Sequence, residues 1–129
     1  MERGDIANRK DVARLVRTFY GKIRQHPVLG PIFEQNITDW EAHFEVLTDF
    51  WESQLFPVKK YWGNPVTAHQ QVDVQSGGTI TMDHFGQWIN LWTETLDELF
   101  EGDNAWIAKN RARKMSTMLF LKIYENRKR

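Results

Sequence analysis

Apolar residues recur along the chain at intervals of three and four, the spacing that gathers side chains onto one face of a helix. Val12, Leu15, Val16, Phe19, Tyr20 and Ile23 form the first stripe and predict a helix from about Asn8 to Gln25, ended by His26-Pro27. The next stretch, HPVLGPIFEQNITDW, holds two prolines and a glycine in quick succession, so it predicts a turn with at most a short helical piece around Pro31 to Glu34. Thr38 and Glu41 have the T-x-x-E spacing of a capping box. A second long helix is expected from there, with Trp40, Phe44, Leu47, Phe50, Trp51 and Leu55 on its apolar side and Pro57 beyond its end.

After an aromatic turn from Lys59 to Gly63, the stretch YWGNPVTAHQQV suits a short helix from Pro65, because proline is tolerated in a first turn. His69 sits on it. VDVQSGGTIT alternates like a hairpin strand, but a lone hairpin in a helical chain has no sheet to join, and a loop is expected. Thr81 is an N-cap candidate for a third long helix bearing Phe85, Trp88, Ile89, Trp92, Leu96, Leu99 and Phe100, with Gly102 as its C-cap. Asp103-Asn104 should cap a fourth, placing Ala108, Ala112, Met115, Leu119 and Ile123 inward and Lys109, Arg111, Arg113 and Lys114 on a solvated outer face. The expected fold is all-α, in one domain spanning residues 1–129.

Charge and composition narrow the partners. Lys+Arg and Asp+Glu are both 17, which gives no basic excess for a nucleic-acid surface. The absence of cysteine excludes disulfides, thiolate metal sites and cysteine nucleophiles, and it fits a cytoplasmic setting. The polar opening MERGDIANRKD has no signal-peptide core, and no run approaches the ~20 apolar residues of a membrane span. No pattern in the chain speaks to its oligomeric state. The 17 aromatic residues, 6 of them Trp, are a large stock of flat surface: they either fill a core or line a cavity around something flat and apolar.

Most site chemistries lack their residues. The histidines, His26, His43, His69 and His84, are never three or four apart, so helical zinc and di-iron spacings are missing. No G-x-S-x-G, G-x-G-x-x-G or Walker loop is present, which weakens hydrolase, nucleotide and flavin readings. An axial bond to haem iron needs only one histidine from the protein. His69 is placed for it, with Asp73 or a nearby carbonyl to take its second ring N–H. Taken alone, His69 reads more readily as a surface or satisfied core residue, and Tyr20 and Trp88 as core rings.

The order of the motifs is more specific. Tyr20 at the end of LVRTFY, then LGPIF, WEAHFEVLTDFW, YWGNPVTAH and FGQWINLW together resemble the third (P) group of truncated haemoglobins, a bacterial globin family. The resemblance runs from about Phe19 to Leu96. The paired glycines that the first two groups carry after the first helix and before the proximal one are absent, and Gly77-Gly78 follows His69, which agrees with the third group.

The resemblance implies a shortened globin fold, a two-over-two helical sandwich around haem b (iron protoporphyrin IX). It makes His69 the proximal iron ligand and His43 the distal histidine, with Leu47 one turn on against the porphyrin or its ligand. Tyr20 and Trp88 become the distal hydrogen-bond donors, Phe33 the ring wedged against haem, and Phe50 and Trp51 aromatic positions further along the distal helix. A donor aimed at bound dioxygen makes a charge-assisted bond and slows its release. The implied function is therefore binding of O2, NO or CO with redox chemistry of oxygen, nitric oxide or peroxide, resembling a dioxygenase or peroxidase fed by a separate reductase. A carrier or sensor globin is the alternative, and a haem-free helical interaction module is the rival from another class.

Overall fold

The computed structural model describes residues 3–57 and 81–127. Five helices are present among them: α1 (Arg9–Gln25), α2 (Leu29–Asn36), α3 (Trp40–Leu55), α4 (Met82–Leu99) and α5 (Asp103–Arg127). The aromatic turn, the short helix from Pro65 with His69, and the loop around Gly77-Gly78 lie outside the described residues.

Local chemistry explains where α1 and α4 begin. The Asn8 side chain accepts from the Asp11 N–H at 3.0 Å and caps α1 as its polar-to-apolar switch suggests. Thr81 caps α4, and the reciprocal partner is a histidine: His84 Nδ1 accepts from the Thr81 backbone N–H at 3.0 Å, completing a capping box. His26 does similar work before α2, its Nδ1 accepting from the N–H groups of Val28 and Leu29, both at 3.1 Å. These two histidines serve backbone donors.

Three expectations are corrected. The second segment is a full two-turn helix rather than a turn with a fragment, because Pro31 falls in its first turn, where its missing N–H costs nothing. Gly30 lets that helix cross close over the end of α1: a Cβ there would meet the Arg24 carbonyl oxygen at 2.8 Å. The Thr38–Glu41 box does not form, since Asp39 caps α3 by accepting from the Ala42 N–H at 3.1 Å. Glu41 instead takes both guanidinium nitrogens of Arg17, at 2.7 and 3.0 Å, and these hydrogen bonds hold its carboxyl below the usual range. Finally, α4 ends at Phe100, and Gly102 stands before α5 at φ +144°. The donors that open α5 are met by Asp5, whose carboxylate accepts from the N–H groups of Asn104 and Ala105 at 2.9 Å each.

The helices form two crossed pairs. α1 lies along α3, α4 along α5, and the pairs face each other through α1 on α4 and α3 on α5, with α2 bridging α1 and α4. Val12, Leu15, Val16, Phe19 and Ile23 from α1 are buried against Trp92 and Leu96 of α4 and Ala105, Ala108 and Ala112 of α5. The small alanines let the large rings approach, and the Trp92 indole N–H donates to the Ala108 carbonyl at 3.2 Å, so its polar atom is satisfied in the core. Arg9 fastens α1 to α3 by reaching Glu45, Asp49 and Glu52 at 2.9, 2.7 and 2.9 Å. These carboxylates recur at helical spacing on one side of α3, so a single guanidinium reaches all three. Hydrogen bonds to Asp49 and Glu52 keep the Arg9 guanidinium firmly charged. Among the described residues no helix is long and apolar enough to cross a membrane.

Candidate functional site

Tyr20 is the centre of the site. It faces inward near the end of α1, and only 5 % of its surface is exposed. Its ring meets Phe19 (4.9 Å between centroids), Phe33 of α2 (5.7 Å), and Trp40, His43 and Phe44 of α3 (6.0, 5.2 and 6.1 Å). The His43 contact is edge-on, at 86°. Trp88 of α4 joins from the other side, in edge contact with Phe19 at 5.2 Å. Its indole lies beside the Tyr20 hydroxyl and favours the ionised phenol, as a neighbouring N–H does. Burial pushes the phenol well above its ordinary pKa, and Trp88 opposes that rise only in part, so Tyr20 keeps its proton.

The local reasons for this convergence are simple. Tyr20 extends the α1 stripe, His43 lies one turn past Trp40 on α3, and Trp88 lies one turn before Trp92 on α4. Trp88 and Trp92 are parallel within 9° at 5.7 Å, and Trp92 in turn stacks on Trp51 of α3 at 4.7 Å. A ladder of three indoles therefore fixes the face of α4 that Trp88 presents.

The structure thus brings Tyr20, His43, Trp88 and Phe33 together, while Leu47 packs half-buried against the same core. Phe50 and Trp51 are both buried in the same core, 5.3 Å apart, and Trp51 belongs to the indole ladder between α3 and α4. His69 lies outside the described residues. Trp40, Phe44 and Arg24 are members of the cluster that the sequence reading did not single out. The i, i+3 spacing of Trp40 to His43 is a signal for one of them. Nothing local marks Arg24, which reaches Trp40 across two helices with its guanidinium 4.4 Å from the ring centroid.

Chemically, the cluster offers one O–H, one indole N–H and one imidazole inside an aromatic shell. Among the described residues, no group of three or more His, Asp or Glu side chains could hold a metal ion. An open groove of about 630 Å³ runs along the outer side of α4 past Asn90, Glu94, Asp97 and Arg113, and it shares no residue with the Tyr20 cluster.

Two crossed helix pairs with α2 at the corner are the truncated-globin fold. The crystal structure of the group III truncated haemoglobin from Campylobacter jejuni superposes with a TM-score of 0.84 over 97 % of this chain and 98 % of that one, at 24 % identity. In sequence, the chain is 25 % identical over 117 residues to the group 3 truncated haemoglobin ctb of Campylobacter jejuni, covering 88 % of each. No family model matches the chain. The sequence and fold likenesses agree with each other and together support a group III truncated globin.

Proposed function

We propose that the chain binds haem b through His69 and presents Tyr20, His43 and Trp88 to a small diatomic ligand, O2, NO or CO, on the opposite side. When bound, haem supplies an iron centre that takes such a ligand and exchanges electrons. The observation that carries the reading is the buried Tyr20, set edge-on against His43 and beside Trp88 inside an apolar shell. Half-buried Phe33, Phe44, Leu47 and Trp88 fit a flat apolar group, which would remove their remaining surface from water. The likeness in sequence and in fold to group III truncated haemoglobin from Campylobacter jejuni supports the same group, and the motif YWGNPVTAH supports His69 as its ligand.

The side chains divide the work. Burial keeps the Tyr20 phenol protonated, so its O–H is available to donate to a ligand, with the Trp88 indole beside it. A ligand carrying partial negative charge is held by that O–H, and water is kept out by Phe33 and Phe44. His43 is the member able both to give and to take a proton. Donors of this kind slow ligand release and assist O–O chemistry, so we read the protein as a cytoplasmic handler of oxygen, nitric oxide or peroxide rather than a carrier. Electrons come from a separate reductase.

The test is a visible spectrum of ferric and ferrous protein after haem supplementation. His69→Ala should yield largely apo protein; a colourless wild type would return the chain to a haem-free helical module. Mixing the oxygen complex with nitric oxide, and the ferric protein with peroxide, should change the haem spectrum quickly. Sluggish reaction in both, with fast oxygen release, would leave a carrier or sensor.

A further inference from the structure

One half-buried side chain stands between the Tyr20 cluster and solvent. Trp40, the first residue of α3, is half-buried and touches Tyr20, His43 and Phe44 with ring centroids 6.0, 6.0 and 5.9 Å away. Arg24, from the last turn of α1, lies over its ring at 4.4 Å. The same guanidinium donates from Nε to Glu34 of α2 at 2.8 Å, with nearly half of each of these two side chains still in water. Trp40 is therefore held between a solvated ion pair and a buried polar cluster, at the corner where α1, α2 and α3 meet.

We infer that Trp40 is a lid on the Tyr20–His43 side of the site, latched by Arg24 and Glu34, and that it sets the rate at which small ligands enter between α2 and α3. The inference rests on the haem reading above. A ring at a helix start can swing outward without breaking a buried helical turn, and what holds it shut is weak. An exposed cation over a ring and an exposed ion pair are each modest attractions, so the lid opens often and closes again. A planar guanidinium is needed to stack and bond at once, which a lysine cannot imitate.

Flash photolysis of the carbon monoxide complex reads the entry step directly. Arg24→Ala and Trp40→Ala should raise the bimolecular rebinding rate about three- to tenfold, the range that losing one such contact allows. Glu34→Gln should act in the same direction, and Arg24→Lys should resemble Arg24→Ala. Independently, exchange of the Trp40 indole proton, assigned by NMR with Trp40→Phe, should speed up in Arg24→Ala. Unchanged rebinding in Arg24→Ala and Trp40→Ala proteins that carry haem would overturn the lid alone. Failure of the wild type to take up haem would overturn the lid and the haem reading together.

Discussion

Tyr20 concentrates the residue-scale argument, because it is buried with His43 and Trp88 beside its hydroxyl. Tyr20→Phe removes the outward donor and should raise oxygen dissociation roughly 10- to 150-fold, the equivalent of a charge-assisted bond of about 1.5–3 kcal/mol. Trp88→Phe acts through Tyr20, so its effect should be smaller and the double variant less than additive. Stopped-flow dissociation kinetics check both; equal, additive effects would mean that each residue reaches the ligand separately. The phenol also has a signature in alkali. Since folding raises its pKa, the neutral form is favoured in the folded state, and its contribution to stability is complete below the ordinary tyrosine value and is lost as pH rises beyond it. Tyr20→Phe should remove a late-ionising tyrosine from an ultraviolet titration.

At the scale of elements, helix starts separate what is local from what is not. Thr81 was legible as a cap because the cap and the donor it serves are within three residues, and Asn8 caps α1 over the same short range. The start of α5 at Asp103 was legible too, but not the group that caps it, since its donors are met by Asp5, about a hundred residues away in sequence. Gly102 belongs to the same arrangement: a Cβ there would lie 2.5 Å from the Asp5 side chain, at a φ of +144° that other residues rarely adopt. Gly102→Ala should lower stability by about 1–3 kcal/mol, measured as a shift of the urea midpoint. A midpoint that stayed put would mean that Asp5 yields freely. The α3 cap shows the limit of motif spacing in another way, for Glu41 was drawn to Arg17 on a neighbouring helix and Asp39 took the vacant role.

For the whole molecule, the two crossed helix pairs leave Phe33, Phe44, Leu47, Trp88 and Met115 half-buried around the core. If haem completes that core, it stabilises the fold by mass action. At free haem one hundred times its dissociation constant the gain is about 2.7 kcal/mol, which should appear as a higher melting temperature than that of the apo protein. Equal melting temperatures would argue that haem binds folded and unfolded chains alike, or neither.

What the sequence determined by itself was periodic and short-range: the α1, α3, α4 and α5 stripes, the Thr81 cap, and the ordered motifs around Tyr20, His43 and Trp88. Each follows from chemistry within one or two helical turns. Tertiary structure decided which partner each polar group took. It gave Glu41 to Arg17 and Asp5 to α5, it set Trp88 beside Tyr20, and it sent Trp51 into the indole ladder with Trp92 while Trp40 went between Tyr20 and Arg24. Those choices depend on where helices cross, and a helical stripe marks a residue as inward-facing without saying which neighbour it will meet.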